Sequence, residues 1–156
     1  MADLPLNRQF DPQYGRMIEV TPLVRRVVAP NESAFTFKGT GTYVIGRGNV
    51  AVIDPGPLDH GHVQAILDGL EGETITHILI THTHNDHSPA AAPLKEKTGA
   101  PTYGFGPHGM GAGAGVAEGA RMDEGGDMAF TPDHVTKDGD VIEGDGWTAE
   151  CVFTPG

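Results

Sequence analysis

A cluster of histidine and acidic residues follows an apolar stretch near the middle of the chain. Residues 75–80 read Ile-Thr-His-Ile-Leu-Ile, and the next seven positions supply His82, His84, Asp86 and His87. Alternate side chains of a β-strand point to the same face, which predicts that His82 and His84 point together. The turn after the strand then carries Asp86 and His87. Because imidazole nitrogens and carboxylate oxygens are ligands that suit zinc, with iron or manganese possible, these four residues are the predicted metal ligands.

A metal ion held by His82 and His84 would favour hydrolysis. A divalent cation with an open coordination position lowers the pKa of bound water to about 7 and provides hydroxide at neutral pH. The competing interpretation is that these residues form a polar surface turn that binds no metal ion. The ligand types, their spacing and the preceding apolar strand count against that interpretation.

Composition indicates one folded domain. The sequence has 156 residues, of which 38% are hydrophobic and 20% charged, as in globular proteins. Its formal net charge of −11 counts against a broad nucleic-acid-binding surface. The only cysteine, Cys151, gives no disulfide framework. Without a secretion signal or an apolar run of about 18 residues, the sequence predicts a cytoplasmic protein with no membrane partner.

Turn residues and apolar patterns predict the organisation of the chain. Residues 1–22 contain three prolines and little periodicity, which predicts an extended N-terminal arm. Regular structure is expected from residue 23 onward. The strand patterns lie at 24–29, 42–45, 50–54, 75–81, 101–104, 139–143 and 147–153.

Two helices and one long loop separate these strands. Asp59 is placed to cap a helix that ends near Leu70. Ser88 has the form of an N-cap, and Pro89 that of a first helical residue, for a helix that ends near residue 98. The glycine-rich residues 104–126 predict a long irregular loop. Strands interleaved with helices and preceded by a hairpin favour an α/β or α+β sandwich.

The pattern His82-x-His84-x-Asp86-His87 resembles the HxHxDH motif of the metallo-β-lactamase superfamily. Residues 81–90 and 99–104 are most similar to the subgroup called β-lactamase-like protein 2, some members of which cleave single-stranded RNA. The resemblance runs from about residue 23 to the last residue. It implies an α+β fold, with the N-terminal half of an αββα four-layer sandwich in which helices flank a mixed β-sheet.

The resemblance also implies a role for each residue of the site. His82 and His84 would hold a first metal ion with a later histidine, while Asp86 and His87 would hold a second ion. Asp86 is also the implied catalytic residue, because its carboxylate can accept a hydrogen bond from the attacking water. Asp54, after the hairpin, would hydrogen-bond to the metal loop and support it.

The implied metal sites are incomplete in this sequence. The family's third histidine follows a Thr-Pro-Gly turn, and this sequence ends on residues 154–156, which are Thr-Pro-Gly. Residues 23–156 are therefore expected to form the N-terminal part of a metallo-β-lactamase domain, truncated before that histidine. Half a sandwich leaves an apolar sheet face exposed, which predicts a companion chain with the C-terminal half, or self-association. The isolated chain is expected to bind metal weakly and to turn over slowly or not at all.

Three functional hypotheses follow. The first is a zinc-dependent hydrolase, with one or two ions, that cleaves an ester, thioester, lactam or phosphodiester bond in a small molecule or, less favoured by the charge, in RNA. The second is a non-catalytic metal-binding or assembly module. The third is an iron-dependent redox enzyme of the same superfamily, whose motif usually has Glu where this chain has Asn85.

The remaining histidines are predicted to be surface residues or to have ordinary hydrogen-bond partners. His108 differs from them because it lies in the glycine-rich loop, which could fold over the site. The group comprises His60, His62, His77, His108 and His134.

Overall fold

The computed structural model describes residues 9–110 and 125–154. These residues form nine strands and two helices. In chain order the elements are β1 (Ile18–Glu19), β2 (Val24–Val28), β3 (Gly41–Ile45), β4 (Asn49–Ile53), α1 (His60–Gly69), β5 (Thr74–Leu79), α2 (Ala91–Thr98), β6 (Thr102–Gly104), β7 (His134–Val135), β8 (Val141–Gly144) and β9 (Trp147–Glu150).

Strands β1 to β7 form one mixed sheet in sequence order. Strands β1 to β4 pair antiparallel, whereas β4 to β7 pair parallel. In the parallel part Ile53, the last residue of β4, pairs with Leu79, the last residue of β5. The carboxyl ends of parallel strands lie at one edge of a sheet, the usual place for a site in such a fold. The segments after β4 and β5 are therefore neighbours.

Each face of this sheet has its own apolar core. On one face Val50 and Val52 pack with Ile66 of α1 and Leu94 of α2. On the other face Ala51 packs with residues of the hairpin β8–β9, including Trp147. Because neighbouring residues of β4 point to opposite faces, one strand contributes to both cores. The result is three layers, with helices, a mixed sheet and the hairpin of a second sheet.

Regular structure begins earlier than the sequence predicted. The expectation that residues 1–22 would lack it is wrong for Ile18 and Glu19, which pair with Arg26 and Arg25 of β2. The two-residue strand β1 is too short for a periodic pattern to show. Residues 1–8 lie outside the described part of the chain.

The start of α2 is the second correction. The helix begins at Ala91, and its N-cap residue, Ala90, makes no side-chain cap. The hydroxyl of Ser88, the predicted cap, donates instead to Oδ2 of Asp127 at 2.7 Å. By contrast, Asp59 caps α1 as predicted and accepts a hydrogen bond from the backbone N–H of His62.

The predicted glycine-rich loop is only partly described. Residues 105–110 contain bends and turns, while residues 111–124 lie outside the described part of the chain, as do residues 155–156. None of the described helices is long and apolar enough to cross a membrane.

Candidate metal centre

The residues 81–88, here called the ligand loop, follow β5 at the edge of the sheet. The prediction that strand alternation brings His82 and His84 together is wrong, because β5 ends at Leu79, before either residue. The loop itself brings the rings together. The ring centroids of His82 and His84 are 4.8 Å apart, and those of His82 and His87 are 4.0 Å apart.

Asp54, His82 and His87 can present ligand atoms to one ion. One nitrogen or oxygen from each lies within 4.8 Å of the other two. The sequence predicts that Asp54 supports the loop rather than binds metal, so its place in this group is an addition from the structure. His84 adjoins the group through His82, and Asp86 adjoins it through His87, whose Nε2 lies 3.1 Å from Oδ2 of Asp86.

The carboxylate of Asp54 holds the ligand loop at both ends. It accepts hydrogen bonds from the backbone N–H and the hydroxyl of Thr81, at 2.8 and 2.6 Å. It also lies 2.9 Å from Nδ1 of His87. A carboxylate can only accept, so Nδ1 carries a proton here. Nε2, which faces Asp86, is then the ring nitrogen left for a metal ion, and the ion would replace any proton on it. Asp54 adopts a positive φ of 48°, a conformation that Asp tolerates better than most residues.

Asp86 is held by Thr40, a residue that the sequence did not single out. Thr40 precedes β3, and its hydroxyl donates to Oδ2 of Asp86 at 2.6 Å. Asn31 fixes Thr40 in turn, since its side chain donates to the Thr40 hydroxyl at 3.0 Å and accepts from the Thr40 N–H at 2.8 Å. Thr40 is 46 positions from Asp86, and no local sequence pattern signals the contact.

Gly56 joins the turn after β4 to the far end of the ligand loop. Its N–H donates to the carbonyl of His87 at 2.9 Å, and its own carbonyl accepts from Ala90 at 3.0 Å. A Cβ at this position would lie 3.0 Å from the ring of His62, and φ is +99°. The site therefore requires glycine here, both for the backbone conformation and for the close approach of the ring.

His62 lies behind the site in a buried position. Its Nε2 is 2.8 Å from the hydroxyl of Thr42, which donates to the carbonyl of Asp54 at 2.7 Å. With that hydroxyl proton committed, Nε2–H is the donor to Thr42. Burial is the largest influence on the pKa of His62 and lowers it, while Asp59 and the Pro55 carbonyl raise it.

The lowered pKa of His62 predicts that acid destabilises the fold. Above the ordinary pKa of 6.5 the ring is neutral in both the folded and the unfolded chain, so the free energy of unfolding has its full value there. As the pH falls below that value, the unfolded chain takes up the proton first, and the free energy of unfolding decreases until the pH passes the folded-state pKa. Urea unfolding at pH 7.5 and 5.5 should show a smaller pH dependence for His62→Gln than for wild type. The exposed His60→Gln is the matched control, and equal slopes for the two variants would contradict the assignment.

The neutral form of the His82 ring, which binds metal, is favoured at this site. Burial is the main cause of its lowered pKa, and His87 and His84 lower the pKa further. Asp54 and Asp86 act in the opposite direction. The net effect favours the neutral imidazole, the form that binds metal. The nitrogen and oxygen atoms brought together here therefore fit a zinc ion.

Three further histidines contact residues outside this group of ligand atoms. Nδ1 of His108 lies 2.9 Å from the hydroxyl of Thr83, within the ligand loop. His77 and His134 lie on the two sides of Tyr103, with ring centroids 5.2 and 4.5 Å from the Tyr103 ring.

Comparison with known proteins decides the family. The model of the metallo-beta-lactamase superfamily matches residues 36–156. The chain belongs to the metallo-beta-lactamase superfamily. This confirms the predicted family and fold class. The sequence resemblance to the narrower β-lactamase-like protein 2 subgroup stays a prediction.

Two curated relatives of this superfamily member are described as thioesterases. An atrochrysone carboxyl ACP thioesterase of Passalora fulva is 40% identical over 86 residues, which cover 53% of this chain and 26% of the relative. A protein of the same description from Pseudocercospora fijiensis is 36% identical over 80 residues, covering 49% of this chain and 24% of the relative. The matched part is thus about a quarter of each relative.

Solved structures show the same fold. BJP-1, a subclass B3 metallo-beta-lactamase of Bradyrhizobium japonicum, superposes with a TM-score of 0.63 at 22% identity, covering 90% of this chain and 52% of that one. A beta-lactamase domain protein from Burkholderia ambifaria gives a TM-score of 0.64 at 20% identity, covering 91% of this chain and 50% of that one. This chain therefore spans about half of each solved fold.

Proposed function

We propose that the protein acts as a zinc-dependent hydrolase. The observation that carries the proposal is the convergence of Asp54, His82 and His87 at the carboxyl edge of the sheet, with His84 and Asp86 beside them. A bound zinc ion would supply an activated water as the nucleophile. Iron or manganese could occupy the same ligands, and zinc is proposed because imidazole is the main donor.

The side chains divide the work between holding the metal and directing the water. His82, His84 and His87 would bind metal through neutral imidazoles. Asp86 would bind metal and accept a hydrogen bond from the attacking water, with its carboxylate oriented by Thr40 at 2.6 Å. Asp54 would orient the ring of His87 through Nδ1, at 2.9 Å.

A thioester is the proposed first substrate to test. The two relatives described above are thioesterases by description, and they are 40% and 36% identical to this chain over about half of its length. A groove of about 680 Å³ runs from Thr81 and His82 past Tyr103, Phe105 and Phe153. Its apolar walls suit an acyl group. Ester, lactam and phosphodiester bonds follow in that order of testing, and the net charge of −11 puts RNA last.

The open side of hairpin β8–β9 is the proposed place for a partner. Val141, at the start of the hairpin, is 56% exposed, and Val152, just after it, is 67% exposed. The solved folds that superpose on this chain are about twice as long. We propose that the C-terminal half of the sandwich covers this side as a companion chain. Self-association is the alternative outcome.

Native mass spectrometry should show a second polypeptide or a second copy, and a stable monomer with full activity would contradict the proposal. A cytoplasmic location is part of the same proposal.

Hydrolysis assays test the proposed function. The purified protein, with any polypeptide that copurifies, is freed of metal and assayed with an acyl thioester, an aryl ester, a chromogenic lactam and a phosphodiester. Zinc should restore cleavage of at least one of them. Asp86→Asn should slow that cleavage by about 10²- to 10⁴-fold, the usual contribution of a positioned proton acceptor. His134→Gln, an exposed change, is the control. Tight zinc binding without cleavage of any substrate would instead indicate the non-catalytic module.

A further inference from the structure

Residues 125–127 run alongside the ligand loop as a short antiparallel pair. The N–H of Asn85 donates to the carbonyl of Gly125 at 3.1 Å, and the N–H of Asp127 donates to the carbonyl of Thr83 at 2.8 Å. Between these bonds, His84 and Gly126 form a β-bridge. A distant part of the chain thus supplies backbone hydrogen bonds to a loop that lies beyond the end of β5.

The side chain of Asp127 holds the loop at a further point. Its Oδ2 accepts from the hydroxyl of Ser88 at 2.7 Å, and its Oδ1 accepts from the N–H of Ala129 at 3.1 Å. Ser88 is only 1% exposed, so water competes poorly for this contact. Asp127 therefore connects the end of the ligand loop to the segment that pairs with its middle.

His108 completes the contact from a third part of the chain. Its Nδ1 lies 2.9 Å from the hydroxyl of Thr83. A Cβ added to Gly126 would fall 2.0 Å from the His108 ring, so only glycine leaves room for the ring at this place. His108 and Gly126 therefore pack together against one side of the loop.

The positions of these contacts follow a pattern. The contacts anchor three residues of the ligand loop. Thr83 lies between His82 and His84, Asn85 lies between His84 and Asp86, and Ser88 follows His87. Each anchor fixes a residue that is the chain neighbour of a predicted ligand. The contacts therefore set the spacing of the ligands through the backbone of the loop.

We propose that Asp127, Gly126 and His108 form a clamp that positions the metal ligands. The proposal rests on the proposed function and deepens it, because it names positioning residues for the same site. These residues act through Thr83, Asn85 and Ser88. The clamp is needed for metal affinity, whereas the apolar cores of the sheet do not depend on it.

Asp127→Ala tests the clamp against Asp133→Ala. Asp133 is the matched control, because it also accepts backbone and side-chain hydrogen bonds, from Thr102 and Lys95, away from the ligand loop. Zinc affinity is measured by competition with a chromophoric chelator. Asp127→Ala should lower it by about 10- to 100-fold, as for other residues that orient metal ligands. Asp133→Ala should leave it unchanged, and Asp127→Asn, which keeps an acceptor oxygen, should recover most of the loss.

Amide hydrogen exchange of the metal-free chain tests the clamp independently of the proposed hydrolase function. Asp127→Ala should speed exchange at Asn85 by about tenfold, the effect of one lost hydrogen bond, without changing exchange at Ile78. Unchanged exchange at Asn85, or equal losses of zinc affinity in the two Asp→Ala variants, would overturn the clamp. Failure of the proposed function would appear instead as absent hydrolysis with these effects intact.

Discussion

Replacing Asp54 by alanine is expected to lower the zinc affinity of the protein by about 10- to 100-fold. The carboxylate accepts two hydrogen bonds from Thr81 and one from His87, so its removal releases both ends of the ligand loop. The Nδ1–H of His87 would also lose the acceptor that sets the orientation of the ring. Competition with a chelator measures the effect, and Asp54→Asn, which keeps one acceptor oxygen, should lose less.

Asp59→Ala is the control for Asp54→Ala. Asp59 also follows β4 and also accepts a backbone hydrogen bond, at 2.7 Å from the N–H of His62, but it caps α1 rather than holding the ligand loop. Its removal should destabilise the fold by about 1 kcal/mol and leave zinc affinity unchanged. Equal zinc affinity in wild type and Asp54→Ala would contradict the role assigned to Asp54.

The second large effect is on stability. Ile78→Ala is expected to lower the free energy of unfolding by about 2 to 5 kcal/mol, because it removes a large side chain from a packed core. Ile78 is fully buried, at 0% exposure, and packs in the core between the sheet and the two helices. Urea unfolding followed by circular dichroism measures the change.

Val141→Ala is the matched control for Ile78→Ala. Val141 is 56% exposed on hairpin β8–β9, so in the isolated chain its truncation should change the free energy of unfolding by no more than about 0.5 kcal/mol. If a companion chain covers the hairpin, the same variant should weaken that association. A change of similar size for the two variants in the isolated chain would contradict the assignment of the core.

The sequence predicted the elements that have strong local patterns. The apolar runs of β4 and β5, the cap of α1 at Asp59 and the HxHxDH motif are each contained in a short stretch. A local pattern gave a wrong prediction where the hydrogen-bond partner is a distant residue. Ser88 has the form of a helix cap, but its hydroxyl donates to Asp127, which is 39 positions away.

The parts of the site that sequence reasoning missed depend on topology. Thr40 meets Asp86 only because β3 begins at the side of the sheet where β5 ends and the ligand loop follows. Gly126 meets His84 only after the chain returns beyond β6. Neither contact has a sequence periodicity, since each is a single pairing between distant segments. Asp54 could be predicted as a supporting residue from the family resemblance, whereas its distance to His82 required the fold.

The most direct test of the proposed metal centre is a zinc titration of the ¹⁵N-labelled protein, followed through the histidine side-chain nitrogens by NMR. Zinc ligation changes the shift of the bound nitrogen and fixes the tautomer of the ring. We predict that His82, His84 and His87 change together, with Nε2 of His87 as the bound atom, while exposed His60 and His134 keep their shifts. Changes confined to other histidines, or no change at any of the three, would contradict the proposed metal centre.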